Sequence, residues 1–164
     1  GHIIMKMNSL VDAEMIDQLY EASAVGVRIQ LIVRGICCLR AGVPGLSENI
    51  EVRSIVGRYL EHSRVYHFAN GDGYGRPATY IGSADLMPRN LDRRVEAVTP
   101  VLDPDLRERL TTILSVALAD DTLAWTLDDR TWQRVNPLGS GSGTVDNHVV
   151  LEEEAIKRAA LNVM

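Results

Sequence analysis

The spacing of apolar residues along the chain predicts short strands that alternate with two long helices. Apolar positions recur at helical spacing over residues 9–24, and Asn8-Ser9 offers a cap for this helix. Asp103-Pro104 supplies a cap and a first helical residue for a second helix that ends near residue 119. The predicted strands are residues 3–7, 28–33, 50–56, 64–68, 79–82 and 94–101, with a further short strand at 122–127. This order predicts an α/β fold, with a mixed β-sheet flanked by helices.

The C-terminal part of the chain has a different composition. Residues 133–148 are rich in Gly, Ser, Asn and Thr, which predicts a loop or linker. Residues 149–164 predict a terminal helix, because three glutamates precede Lys157-Arg158 as the helix dipole favours. At the other end, Gly1-His2 resembles the remnant of a cloning tag. Residues 3–132 are then expected to form one α/β domain.

Composition and charge narrow the functional classes. The formal net charge of −5 argues against a general electrostatic grip on nucleic acid, so we expect no nucleic-acid partner. Cys37 and Cys38 are adjacent and are expected to stay reduced, which fits the cytoplasm. We find neither a signal peptide nor an apolar run of membrane-spanning length.

A histidine, a hydroxyl and an arginine stand together at His62-Ser63-Arg64. On an extended strand His62 and Arg64 would face the same side, and the arginine fork suits phosphate oxygens. Arg34 follows a predicted central strand at its carboxyl end, and Ser83 lies in a turn after a glycine. These residues predict a phosphoryl-transfer site with a catalytic His62, phosphate-binding Arg34 and Arg64, and a supporting Ser83. Each also has a plainer interpretation as a surface, strand-end or turn residue.

The same residues resemble one half of the phospholipase D superfamily site. That half-site combines a His-x-Lys motif with a Gly-Ser turn, matched here by His62-Ser63-Arg64 and Gly82-Ser83-Ala84-Asp85. Arg64 stands where the family has lysine, and Ala69 where an acidic residue is usual. The resemblance implies a phospholipase D-like layered fold, while the two departures weigh against simple phosphodiester hydrolysis.

Longer runs resemble bacterial polyphosphate kinase over about residues 5–120. They are Lys-Met-Asn-Ser-Leu (6–10), Arg-Gly-Ile-Cys-Cys-Leu-Arg (34–40), Gly-Leu-Ser-Glu-Asn (45–49), Leu-Glu-His-Ser-Arg (60–64) and Arg-Asn-Leu-Asp-Arg-Arg-Val-Glu (89–96). The resemblance implies that residues 3–132 are the second of two phospholipase D-like catalytic domains. It implies reversible transfer of the terminal phosphate of ATP to inorganic polyphosphate, with His62 and Arg34 as nucleotide-binding positions. The phosphohistidine and the arginines that hold magnesium belong to the other catalytic domain.

This resemblance sets the expected partners. They are ATP or ADP, polyphosphate and the remaining domains of the same enzyme, which as a whole is expected to be a homo-oligomer in the bacterial cytoplasm, with membrane association left open. The fragment alone is expected to be inactive, with Mg²⁺ bound mainly outside it. Two alternatives stay open, namely a nuclease-like half-site completed by dimerisation and a non-catalytic assembly module.

Overall fold

The computed structural model describes residues 1–136 and 143–161, which form an eight-stranded sheet and four helices. The strands are β1 (His2–Met7), β2 (Arg28–Val33), β3 (Ile50–Ile55), β4 (Val65–Phe68), β5 (Ala78–Gly82), β6 (Val98–Pro100), β7 (Ala124–Asp128) and β8 (Thr131–Arg134). The helices are α1 (Ala13–Ala24), α2 (Pro88–Leu91), α3 (Pro104–Ala119) and α4 (Asn147–Leu161). The predicted α/β class with a mixed sheet is confirmed.

The sheet order is β6-β5-β4-β1-β2-β3-β7-β8, with β1, β2 and β3 parallel and every other pair antiparallel. The parallel strands lie at the centre of the sheet. β1 and β2 are largely apolar, with Leu31 and Val33 fully buried, and β3 alternates apolar with polar residues over 50–53. β4 runs antiparallel to β1, with Val65 opposite Lys6. The start of β4 therefore meets the carboxyl ends of β1 and β2 at one edge of the sheet.

Each face of the sheet has its own core. α1 covers one face, where Ile16 and Leu19 belong to the same apolar cluster as Leu31. α3 covers the other face, where Leu114 packs in a cluster with Ile4 and Ile32. Side chains alternate along a strand, so Lys6 and Arg34 extend the rows of Ile4 and Ile32 on the α3 side. Both cations therefore reach the sheet edge on the same face.

The first helix begins later than predicted. Asp12, rather than Asn8 or Ser9, caps α1 by accepting a hydrogen bond from the Met15 N–H at 3.0 Å. Leu10 is drawn into the sheet edge instead, where its N–H donates to the Ile36 carbonyl at 2.8 Å. The burial of Leu10 in a β-bridge therefore outweighs the local capping signal of Asn8-Ser9.

The other boundaries also differ from the sequence prediction. The strand predicted at 94–101 is limited to the three residues of β6, and the one predicted at 122–127 is β7, shifted by one to two residues. The short helix α2 and the strand β8 were not predicted. The hairpin turn between β7 and β8 contains Asp129 with φ of 51°, a conformation that the sequence does not signal.

The C-terminal boundaries need a similar correction. β8 occupies the start of the predicted linker at 133–148, and α4 begins at Asn147 instead of residue 149. Most of the predicted flexible stretch at 139–143 lies outside the described residues, as do the last residues of the predicted helix. At the other end His2 is the first residue of β1, and its ring lies 2.9 Å from the Gln30 side-chain oxygen.

Two findings relate to the expected compartment. Cys37 and Cys38 are both free thiols in the structure. Among the helices of residues 1–136 and 143–161, none is long and apolar enough to cross a membrane. The cytoplasmic location itself stays a prediction.

Asp120 joins three elements at the end of α3. Its side chain is fully buried and accepts hydrogen bonds from the backbone N–H groups of Thr122, Leu123 and Ala124 at 2.7–3.0 Å. The second carboxylate oxygen accepts from the Asn147 N–H at 2.7 Å. One carboxylate therefore connects the turn before β7 to the first turn of α4.

We predict that Asp120→Ala lowers the free energy of unfolding by about 3 kcal/mol, because four N–H groups that are buried or partly buried lose their acceptor. Urea denaturation followed by circular dichroism measures this loss. Asp17→Ala, at an exposed carboxylate on α1, is the matched control and should change stability by less than about 0.5 kcal/mol. Equal stability of the two variants would show that Asp120 does not connect α3 to α4.

Candidate functional site

The sheet topology brings the predicted site residues to one edge. Arg34 directly follows β2, and its N–H donates to the Met7 carbonyl at the end of β1 at 3.2 Å. His62 and Arg64 lie in the segment 56–64 that connects β3 to β4. Since the start of β4 lies beside the end of β1, this segment crosses the edge where Arg34 emerges.

His62 does not lie on a strand, so the expectation that it shares a strand face with Arg64 is wrong. β4 begins at Val65, and residues 56–64 precede it outside any strand. The Nη1 of Arg64 donates to the His62 carbonyl at 2.9 Å. Both residues nevertheless line one cleft of about 520 Å³, together with Ser83. The cleft thus brings His62, Arg64 and Ser83 together, whereas Arg34 lines a separate small cavity with Lys6 and Glu61.

The His62 ring is exposed, and its Nδ1 lies 2.8 Å from the Leu60 carbonyl oxygen. A carbonyl can only accept, so Nδ1 carries the proton and donates it. In the neutral ring Nε2 then holds the lone pair. This leaves Nε2 as the nitrogen that can contact a phosphoryl group or take a proton.

Arg64 is engaged in a two-bond ion pair with Asp85. Its Nε and Nη2 donate to the two carboxylate oxygens at 3.2 and 2.8 Å. The Asp85 side chain is only 6% exposed, and its Oδ1 also accepts from the N–H of Asn8 at 2.7 Å. Burial alone would raise the pKa of Asp85, but the bonds from Arg64 and Asn8 outweigh it and lower the pKa. A phosphate contact by Arg64 would have to share the guanidinium with this carboxylate.

Arg34 differs from Arg64 because its charge is not neutralised by a direct partner. Its Nη1 donates to the Glu61 backbone carbonyl at 2.9 Å. Within residues 1–136 and 143–161, no carboxylate lies at ion-pair distance from Arg34. A half-buried guanidinium with spare donors is suited to two phosphate oxygens.

Lys6 is a third cation at the same edge, and sequence reasoning did not assign it to the site. It is 6% exposed and forms an ion pair with the Glu61 carboxylate. Burial, followed by the charges of Arg34 and Arg64, lowers the pKa of Lys6 to about 8. The signal available in the sequence was a lysine inside the apolar run of a central strand, which requires a buried partner.

Ser83 is engaged with Glu96 beside the cleft. Its hydroxyl donates to the Glu96 carboxylate and accepts from the Ala97 N–H at 3.1 Å. The hydrogen bond from Ser83, followed by one from Asn90, lowers the pKa of Glu96. A Cβ at Gly82 would lie 2.6 Å from the Ala97 carbonyl oxygen, so only glycine fits this close crossing. In this structure Ser83 holds the turn that forms one wall of the cleft.

The segment 56–61 is also held from outside by α4. The Tyr59 N–H donates to Nδ1 of His148 at 3.3 Å, and the two rings lie 5.3 Å apart. Arg58 lies 3.5 Å from the Glu152 carboxylate. His148, which falls in the predicted linker at 133–148, is buried at the start of α4 and supports the backbone three residues before His62.

The charges favour an anion over a metal ion. Three cations converge at the edge, and the nearby carboxylates of Glu61, Asp85 and Glu96 are each engaged by protein donors. In the part of the chain that the structure describes, no group of three or more His, Cys, Asp or Glu side chains could hold a metal. These residues do not fit a magnesium site.

This architecture is that of the phospholipase D fold. The crystal structure of a phospholipase D family member, Nuc from Salmonella typhimurium, superposes with a TM-score of 0.57 at 16% identity, covering 78% of this chain and 82% of that one. At this identity the likeness is one of fold alone. It confirms the predicted phospholipase D-like fold.

A family model and relatives of higher sequence identity show the family to which the chain belongs. The family model described as polyphosphate kinase C-terminal domain 2 matches residues 1–143, and the chain belongs to this family. Polyphosphate kinase 1 from Chlorobaculum tepidum is 60% identical over 136 residues, which is 82% of this chain and 19% of the relative. The crystal structure of polyphosphate kinase from Porphyromonas gingivalis superposes with a TM-score of 0.87 at 41% identity, covering 96% of this chain and 24% of that one.

The chain therefore corresponds to a C-terminal domain of a much longer enzyme. It spans about a fifth of the curated polyphosphate kinases that it matches. The resemblance seen in the sequence is confirmed at the level of the family and the domain. The roles of individual residues stay predictions.

We predict that Asp85→Asn lowers the free energy of unfolding by about 3 kcal/mol at pH 7, because Arg64 loses its buried counter-ion. The pKa of Asp85 is lower in the folded state than its unfolded value of about 3.9. Its stabilising contribution is therefore present above about pH 4 and is lost as the pH falls through the folded pKa. Urea denaturation across pH 2–7 measures both effects.

Asp17→Asn, at an exposed carboxylate, controls for the general loss of one negative charge. The Asp85 variant should lose less stability than this control between pH 5 and pH 2. If acid affects both variants to the same extent, the ion pair contributes nothing to acid sensitivity.

Proposed function

We propose that this domain supplies half of the active site for reversible transfer of the ATP terminal phosphate to inorganic polyphosphate. The proposal rests on the polyphosphate kinases to which the chain is related. The single observation that carries it is the arrangement of Arg34, whose guanidinium has no carboxylate partner among the described residues and is bonded to the backbone next to His62. In this proposal, one anion contacts both the Arg34 guanidinium and the His62 imidazole.

The chemistry that these groups offer is charge neutralisation and orientation. During transfer the bond between the γ-phosphorus and the bridging oxygen of ATP breaks, ADP leaves, and a new bond to phosphorus forms on the acceptor. Arg34 donates N–H groups to phosphate oxygens whose negative charge must be balanced. His62, through Nε2, contacts the transferring phosphoryl group or moves a proton. Arg64, held by Asp85, contributes mainly by keeping the His62 carbonyl in place.

The acceptor and the metal belong elsewhere in this proposal. The histidine that carries the covalent phosphate is assigned to another catalytic domain. Magnesium is assigned there too, as the relation to polyphosphate kinases implies. The isolated domain should therefore lack kinase activity. A homo-oligomeric whole enzyme, its cytoplasmic location and the lack of a nucleic-acid partner are carried forward as predictions.

We predict that His62→Ala in the whole polyphosphate kinase lowers kcat for polyphosphate synthesis at least about 100-fold, because the group facing the phosphoryl is lost. Synthesis from ATP measures the effect, and thermal unfolding checks the fold. His67→Ala is the control, since His67 lies on β4 and bonds to Thr79 away from the cleft. Near-normal synthesis by a folded His62 variant would contradict the proposal. Phosphodiesterase turnover by the isolated chain would favour the nuclease alternative instead.

We predict that Arg34→Ala raises KM for ATP about tenfold or more, because a charge-assisted hydrogen bond to phosphate is lost. The matched control is Arg28→Ala, at the opposite end of β2, where Arg28 pairs with Glu51 on the surface. Steady-state kinetics of the whole enzyme over a range of ATP concentrations distinguish the two. An unchanged KM in the Arg34 variant would remove this residue from the nucleotide site.

A further inference from the structure

Glu61 lies between the two residues that the proposed function depends on. Its backbone carbonyl accepts the Arg34 hydrogen bond, and it directly precedes His62 in the chain. Its carboxylate makes two further contacts, one with Lys6 and one with the Ser63 N–H. Among the described residues of the site, only Glu61 both bonds to Arg34 and bridges His62 by accepting the Ser63 N–H.

The contact with Lys6 anchors Glu61 to the sheet. The Lys6 side chain is 7% exposed and the Glu61 side chain 30%. A buried ammonium requires a counter-ion, and the charges of Arg34 and Arg64 increase that requirement. The carboxylate is therefore held at the end of β1, in the rigid centre of the sheet.

The contact with Ser63 fixes the backbone around His62. The Glu61 carboxylate accepts from the Ser63 N–H at 3.0 Å, which closes a short ring across His62. The His62 ring is then oriented by the Leu60 carbonyl at 2.8 Å. The position of the imidazole thus depends on where the Glu61 side chain is anchored.

The contacts from α4 are weaker anchors for the same segment. Arg58 and Glu152 are 74% and 41% exposed, and exposed ion pairs contribute little. The ion pair of Glu61 with the buried Lys6 links segment 56–64 to the central strand β1. Any displacement of this pair moves the backbone that holds both Arg34 and His62.

We propose that Glu61, anchored to Lys6, is a positioning residue that sets the separation and orientation of Arg34 and His62. The inference rests on the proposed function of this site and deepens it. Glu61 contacts neither the phosphate nor the transferred group. It acts through the Arg34 hydrogen bond and through the backbone of His62.

The test uses the whole polyphosphate kinase with Glu61→Ala, and Glu154→Ala as the matched control, since Glu154 forms an exposed pair with Arg158 on α4. We expect Glu61→Ala to lower kcat about 100-fold, as expected for a misplaced reacting group, and to raise KM for ATP. The control should stay within about twofold of wild type. Wild-type kinetics in a folded Glu61 variant would overturn the inference.

A double-mutant cycle distinguishes positioning from a general structural effect. If Glu61 acts on nucleotide binding through Arg34, Glu61→Ala should not raise KM further when Arg34→Ala is already present. Independent effects that multiply in the double variant would contradict positioning through Arg34.

A double variant that lacks both charges tests the inference if Glu61→Ala does not fold. Lys6→Met with Glu61→Gln removes both charges of the pair at similar side-chain volume, and we expect normal stability with reduced kcat. Wild-type kinetics in this double variant would show that the pair only balances charge, and would overturn the inference.

The two proposals fail in different ways. Full activity of His62→Ala overturns the proposed function. Loss of activity in the His62 and Arg34 variants, with full activity in both Glu61 variants, overturns the positioning role alone.

Discussion

Repulsion among three cations at one sheet edge is the constraint on which the rest of the site depends. Lys6, Arg34 and Arg64 arrive from β1, from the end of β2 and from the start of β4. Burial lowers the pKa of Lys6, and the charges of Arg34 and Arg64 lower it further. Two carboxylates offset this repulsion: Asp85 with Arg64, and Glu61 with Lys6. The charge of Arg34 is left for a ligand, which is why an anion site is the consistent interpretation of this edge.

The fold was largely predictable because its central strands show either an apolar run, as in β1 and β2, or an alternation of apolar and polar residues, as in β3. The pattern located β1, β2 and β3 within a residue or so, and Asp103-Pro104 marked the start of α3 correctly. Periodicity did not predict α2 or β8, because both elements are too short to show a repeating pattern of apolar residues. The start of α1 was misplaced because Leu10 forms a tertiary bridge, and local capping signals contain no information about such contacts.

The candidate site was predictable in its members and less so in its geometry. His62, Arg34 and Ser83 stood out because their residue types are suited to phosphate and lie at strand ends. The role of Asp85 as the partner of Arg64, and of Glu61 as that of Lys6, depends on contacts between strands that are distant in sequence. No spacing rule identifies them. His148 falls in the segment predicted as a linker, although the folded chain buries it against Tyr59.

The reach of Asp85 has a consequence for the order of folding. Its carboxylate binds Asn8, 77 residues earlier in the chain, and Arg64, 21 residues earlier. Closing such loops is slow, since entropy must be lost before the contacts form. The contacts that hold Asp85, Arg64 and Asn8 at the candidate site therefore cannot exist in a partly folded chain that has only its local helices. Any ligand of this site would bind only after β1, β4 and β5 have assembled, and would stabilise only the assembled sheet.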